Sequence, residues 1–149
     1  MLPSESMIQY KASLVGKILD KYLADKGYND YFIGGSYRFG WLTKQSDYDL
    51  FILEKNPSDG LLPKITTISD LNLHCVTPNC YPGQHWETEI FGNQIDLIFF
   101  YNKDVYQSLY EEHLEIETYL QNNPEVSDIL SIVQCTNQDK YRALKLRVS

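Results

Sequence analysis

Apolar residues recur at helical spacing from Met7 to Lys26, with Ile8, Val15, Ile18, Leu19 and Tyr22 on one stripe. The spacing predicts an opening helix. Ser4 or Ser6 stands where a cap would begin it, and Gly27 where the chain would leave it. Tyr31-Phe32-Ile33 is a short apolar run ending at Gly34-Gly35, the pattern of a buried strand entering a tight turn. A short helical segment over Tyr37–Thr43 and a strand over Tyr48–Glu54 follow. Residues 55–84 carry Pro57, Pro63, Pro78 and Pro82, with a short helix near 61–71 and a strand near 71–76 as weaker patterns. Trp86–Phe91 and Gln94–Tyr101 alternate like strands on either side of Gly92-Asn93, which predicts a hairpin. Beyond it Val105, Leu109, Ile116 and Leu120 share one helical face, and Glu111, Glu112, Glu115 and Glu117 lie mostly on the other. Pro124 punctuates, and Glu125–Val133 and Gln138–Val148 are two further helices. The order predicts one α+β (α/β) domain over 1–149: a small mixed sheet flanked by helices, with its core at about 7–101 and C-terminal helices at about 103–148.

Composition supports a folded domain: the chain has 149 residues, 43% of them hydrophobic and 13% aromatic. Charge changes the picture more. The formal net charge is −7, and residues 31–136 hold fifteen acidic residues against five basic ones. That balance argues against broad duplex binding, which needs a basic face to displace counterions, and suits a cationic partner such as a divalent metal. No apolar run is long enough to span a bilayer, and the first residues lack the basic and apolar parts of a signal peptide. Three cysteines at irregular spacing do not form a disulfide framework. A cytoplasmic, reducing location is the expectation.

Three local features carry chemistry. Gly34-Gly35-Ser36 follows a strand and opens a short helix, where backbone N–H groups can approach a triphosphate. Asp47 and Asp49 alternate with Tyr48 and Leu50, so both carboxylates point to one side of a strand. Such a pair is costly unless a cation sits between its members. Asp96 interrupts the apolar run Ile95-Asp96-Leu97-Ile98-Phe99-Phe100. Alone, each has a plainer account: an ordinary turn, a solvated acidic strand start, and an Asp tied to the hairpin. Oxygen-only ligation by all three carboxylates would suit Mg²⁺ or Mn²⁺.

Together, Gly34-Gly35-Ser36-Tyr37-Arg38-Phe39-Gly40, then Ser46-Asp47-Tyr48-Asp49-Leu50, then Ile95-Asp96-Leu97 resemble the nucleotidyltransferase superfamily typified by DNA polymerase beta. The resemblance covers about residues 31–101. It implies metal-dependent transfer of a nucleoside monophosphate from an NTP, ATP first among the candidates, to an acceptor hydroxyl with release of pyrophosphate. In that scheme two Mg²⁺ (or Mn²⁺) ions sit on Asp47, Asp49 and Asp96, and Asp96 also accepts the hydroxyl proton. Gly34, Gly35, Ser36, Arg38 and Ser46 bind the nucleotide, Gly35 and Ser36 at the β- and γ-phosphates. Phe39 departs from the small residue often found there in small members. The C-terminal third is too short for a large acceptor-binding helical domain, and the minimal size resembles nucleotidyltransferases paired with toxins, some of which transfer AMP to a partner protein. A protein acceptor is therefore favoured over nucleic acid. Two alternatives stay open: a weakly active, antitoxin-like binding module, and an RNA or DNA end-modifying enzyme gripping its substrate with Lys140, Arg142, Lys145 and Arg147.

Other residues offer less. His74, Cys75, Cys80 and His85 include zinc-capable types at an uncommon spacing. Cys135 suits a core thiol and His113 a packing residue of its helix. Tyr37, Tyr48 and Tyr81 are candidates for stacking on a nucleobase.

Overall fold

The computed structural model describes residues 10, 13–40, 47–55, 74–80, 83–133 and 136–148, with the backbone alone at 36, 74–80, 83 and 137. Helix α1 (Leu14–Asp25) starts at Ser13, whose hydroxyl accepts the Gly16 N–H at 2.9 Å. Tyr10 ahead of it is helical too, so Ser13 marks a fresh start inside the span that periodicity marks, its hydroxyl supplying an acceptor that the first turn otherwise lacks; Ser4 and Ser6 lie outside the described residues. Strand β1 (Tyr31–Gly34) leads straight into the one-turn helix α2 (Gly35–Phe39), and β2 (Tyr48–Leu53) follows. The short helix thus begins two residues before the predicted segment, directly on the glycines. The predicted helix near 61–71 lies outside the described residues.

Strands β3 (His74–Cys80), β4 (Gly83–Ile90) and β5 (Asn93–Phe100) complete a five-stranded mixed sheet in the order β1-β2-β5-β4-β3. Only β2 and β5 run parallel among these neighbours. The β4–β5 turn is Phe91-Gly92, one residue earlier than expected, since Ile90 pairs with Asn93. Both turn residues have positive φ, 51° and 79°, which matches the right-handed twist of a two-residue hairpin. Asn93 instead donates its side-chain amide to the carbonyls of Ile90 and Phe91.

Alternation along the strands divides the sheet into two faces. Leu50 and Ile52 of β2 with Ile95, Leu97 and Phe99 of β5 turn to one face, and Val15, Leu19 and Leu23 of α1 bury it. Tyr48 belongs to this core, its ring in a mutual cluster with Tyr10 and Tyr37 and 4.2 Å from the latter. That stack is therefore a core element rather than a nucleobase platform, and Tyr81 lies outside the described residues.

The opposite face is covered by α3 (Lys103–Asn122), which packs Tyr106 against Phe32, Leu53 and Phe100. Helices α4 (Pro124–Ile132) and α5 (Asn137–Val148) follow. Phe39, Ile116, Leu120 and Leu144 make a separate cluster joining α2, α3 and α5. The bulk at Phe39 is thus what ties the glycine turn to the C-terminal helices.

Glu117 does not share the solvated face of α3 with its acidic neighbours. It is buried, and its carboxylate accepts from Arg38 Nη1 at 2.8 Å. Arg38 also donates Nε–H to the Ile33 carbonyl at 2.6 Å and lies against the Phe32 ring. Removing one partner of a buried pair leaves an uncompensated charge, at a cost of roughly 3–5 kcal/mol, whereas replacing both with apolar groups is often near neutral. Arg38→Met alone is therefore expected to lower the unfolding free energy by about that amount in urea titration. Arg38→Met with Glu117→Leu should recover most of the loss.

Candidate functional site

Parallel pairing of β2 with β5 puts Asp49 opposite Asp96. Asp47 and Asp49 follow the polar phase of β2, and Asp96 takes the same phase on β5, so the three predicted carboxylates converge on the face opposite α1. Asp96 is buried and Asp49 half-buried. Burial raises the Asp49 carboxyl to about 7, with Asp96 and then Asp47 adding to the shift. Asp47 is raised in the same direction by burial, then by Asp96 and Glu87. Losing hydration beside like charges disfavours ionisation. A divalent cation among these oxygens would reverse that effect, so the donor set fits the metal that such carboxylates imply.

Two residues of β4 join the cluster, and motif reasoning did not place them there. His85 Nε2 lies 2.9 Å from Asp96 Oδ1, and Glu87 stands opposite Asp96 in the β4–β5 register. His85, Glu87 and Asp96 each offer a ligand atom within 4.8 Å of the others. Gln94 donates its amide to both Asp96 oxygens at 3.2 and 3.3 Å. The signal for these partners was present as strand alternation, His85-x-Glu87 on one face, but pairing to β5 was needed to aim it. For the zinc pattern, the side chains of His74, Cys75 and Cys80 lie outside the described residues, and His85 is engaged by Asp96.

The glycine turn meets the carboxylates directly. Gly35 has φ +59°, and a Cβ there would stand 2.5 Å from Asp49 Oδ2. Gly34 has a different reason: a Cβ would run into the Phe51 ring and lie 2.9 Å from His113 Nε2. The Ser36 side chain and all of Ser46 lie outside the described residues. Arg38 corrects the expectation of a phosphate contact. Its guanidinium turns inward to Glu117 and Ile33, because α2 packs that side against β1 and α3.

A cavity of about 590 Å³ opens beside the carboxylates, lined by Gly35, Asp49 and His85 and by Phe39, Phe51, His113 and Tyr141. Its aromatic half is held by α3 and α5. His113 donates Nδ1–H to the Leu109 carbonyl at 2.8 Å and packs on Phe32, Phe39, Phe51 and Tyr141. It is a packing residue, as its position on the apolar face of its helix implies, and it also walls the cavity. The expected basic surface of α5 is interrupted. Lys140 is buried, Arg142 pairs with Asp139 at 3.7 Å, and Lys145 pairs with Glu112 at 3.5 Å. Tyr141 also donates its hydroxyl to Glu112.

A family model described as a nucleotidyltransferase domain matches residues 16–145. No curated protein matches the chain.

Two expectations follow from the local geometry. Gly35→Ala and Gly92→Ala both place a side chain at positive φ, but a Cβ at Gly92 meets nothing within 4 Å. Both variants should lose stability on the order of 1–3 kcal/mol from backbone strain, and Gly35→Ala should lose more in thermal unfolding because Asp49 must move.

Burial is the main cause that lowers the His113 pKa from 6.5 to about 4; the Leu109 hydrogen bond and Glu112 oppose it, and Arg38 adds to it. The unfolded chain therefore binds this proton first, so the contribution is intact above about pH 6.5 and is lost as pH falls toward 4. Between about pH 7 and pH 5, wild type should lose about 2 kcal/mol more than His113→Phe in denaturant titrations. Arg38, Glu112 and Tyr141, which also face the ring, are common to both proteins.

Proposed function

The chain belongs to the nucleotidyltransferase domain family, and from that premise we propose that it transfers a nucleoside monophosphate from ATP to an acceptor hydroxyl. The observation that carries this is the convergence of Asp47, Asp49 and Asp96 beside Gly35, with Asp49 and Asp96 opposed in a parallel register. The proposed unit is a single domain over 1–149, working in the cytoplasm, where nucleoside triphosphates are supplied. Among the described residues no helix is long and apolar enough to cross a membrane.

Asp47, Asp49 and Asp96 would hold two Mg²⁺ or Mn²⁺ ions, which supply Lewis-acid stabilisation of the charge on the phosphoryl and leaving oxygens. The chain's own groups do the rest. Backbone N–H groups of Gly35 and Ser36 bind the β- and γ-phosphates, and the missing Cβ at Gly35 lets them approach Asp49 closely. The hydroxyl oxygen bonds to the α-phosphorus, the bond to the bridging oxygen breaks, and pyrophosphate leaves. Asp96 takes the hydroxyl proton, held in place by the Gln94 amide. The cavity bounded by Phe39, Phe51 and Tyr141 receives an apolar or aromatic part of a substrate and excludes water.

A protein acceptor is favoured over RNA or DNA, because pairing within α5 and to α3 leaves little continuous basic surface for phosphates. The test combines labelled ATP, Mg²⁺ or Mn²⁺, and protein, RNA and small-alcohol acceptors. Wild type should label an acceptor, and Asp47→Ala with Asp49→Ala should reduce labelling to background. Equal labelling by the two proteins would overturn the enzymatic reading. Asp49→Asn should likewise abolish transfer, yet raise the thermal midpoint of the metal-free protein by a few degrees or so, because it relieves repulsion at a group held for function.

A further inference from the structure

We propose that His85 and Glu87 extend the carboxylate set into a mixed imidazole–carboxylate metal site, with His85 Nε2 as a direct nitrogen ligand. Its consequence is a preference for Mn²⁺ and the later first-row divalent ions over Mg²⁺. The proposal rests on the transferase reading for the presence of a metal, and deepens it by naming the metal class and two further ligands.

The argument begins with strand alternation. His85 and Glu87 project from the same face of β4, while Trp86 between them is buried on the other. Glu87 is paired with Asp96, and His85 with Ile98, so His85 is the diagonal neighbour of Asp96 across the β4–β5 ladder. The imidazole spans that diagonal, bringing Nε2 to 2.9 Å from Asp96 Oδ1. One nitrogen and two carboxylate donors, drawn from two strands, thereby fall within 4.8 Å of one another.

Two further observations separate this group from a chance acidic patch. Gln94 donates to both oxygens of the buried Asp96, the outer support that ligating carboxylates commonly have. His85 and Asp49 also line the same cavity, which gives an ion and its substrate oxygens a way in. Mg²⁺ prefers oxygen donors, whereas imidazole favours transition ions. A plain hydrogen-bond role for His85 makes no such distinction.

The full chain is titrated with Mn²⁺ by electron paramagnetic resonance, with Mg²⁺ as competitor, and bound Mn²⁺ is then examined by spin-echo spectroscopy for coupling to a ¹⁴N nucleus. His85→Gln keeps a donor toward Asp96 but removes the imidazole; Glu87→Gln removes a charge and keeps it. Both variants are first checked for wild-type thermal unfolding. Nitrogen coupling is expected in wild type and Glu87→Gln and not in His85→Gln. Mn²⁺ should bind His85→Gln roughly tenfold or more weakly, while the Mg²⁺ dissociation constant obtained from the competition changes by no more than about twofold. Absence of nitrogen coupling in wild type, or wild-type Mn²⁺ affinity in His85→Gln, would overturn the proposal. Normal transfer without a nitrogen signal sinks the nitrogen ligand alone. A nitrogen signal without any nucleotidyl transfer sinks the transferase reading and leaves the metal site standing.

Discussion

The parallel pairing of β2 with β5 is the constraint on which the rest of this structure depends. It places Asp49 directly opposite Asp96 on a partly dehydrated sheet face, an arrangement that opposes folding unless charge is compensated. The surrounding residues make sense as consequences. Gly35 lacks a side chain where Asp49 needs room, Gln94 and His85 secure Asp96, and the strands' other phase is filled with Leu50, Ile52, Leu97 and Phe99 to anchor the register. A slip of one residue would bury the carboxylates against α1 and expose that core.

Around this polar centre the same sheet face is closed by aromatic packing. Phe51, one alternation beyond Asp49, contacts Phe32, Phe100 and His113. Phe39 and Tyr141 extend the wall to α5. The Arg38–Glu117 pair then ties the short helix after the glycines to α3. The turn beside the carboxylates is thus held from behind by a buried ion pair and from the side by rings, which keeps its backbone positioned without relying on the turn itself. Helix α5 is fastened to α3 by Tyr141 and Lys145, both on Glu112, so the cavity is bounded by the C-terminal helices as well as the sheet.

Element types were legible because each depends on neighbouring positions. The 3.6-residue recurrence in α1 and α3 and the alternation in β2, β4 and β5 are local signals, and the paired Asp47 and Asp49 follow from alternation alone. Boundaries were less legible. Ser13, in the middle of the span that periodicity marks, caps α1, and Phe91 takes a positive φ that its bulk would argue against. Arg38 illustrates a deeper limit. A lone arginine after a glycine turn points equally well to phosphate or to protein, and its partner Glu117 lies 79 positions away.

By itself the sequence determined that this chain forms an α+β domain, that Asp49 and Asp96 sit at strand positions with Asp47 just ahead of the first, and that glycines precede a short helix. These follow from periodicity and from residue types whose burial would otherwise be costly. Tertiary structure alone decided that Asp96 faces Asp49, that His85 and Glu87 join them, that Arg38 is withdrawn to Glu117, and that Phe39, His113 and Tyr141 share a cavity with the carboxylates. The physical reason is that charge compensation and ring packing are short-ranged in space yet indifferent to separation along the chain, so only strand pairing and helix docking could choose the partners.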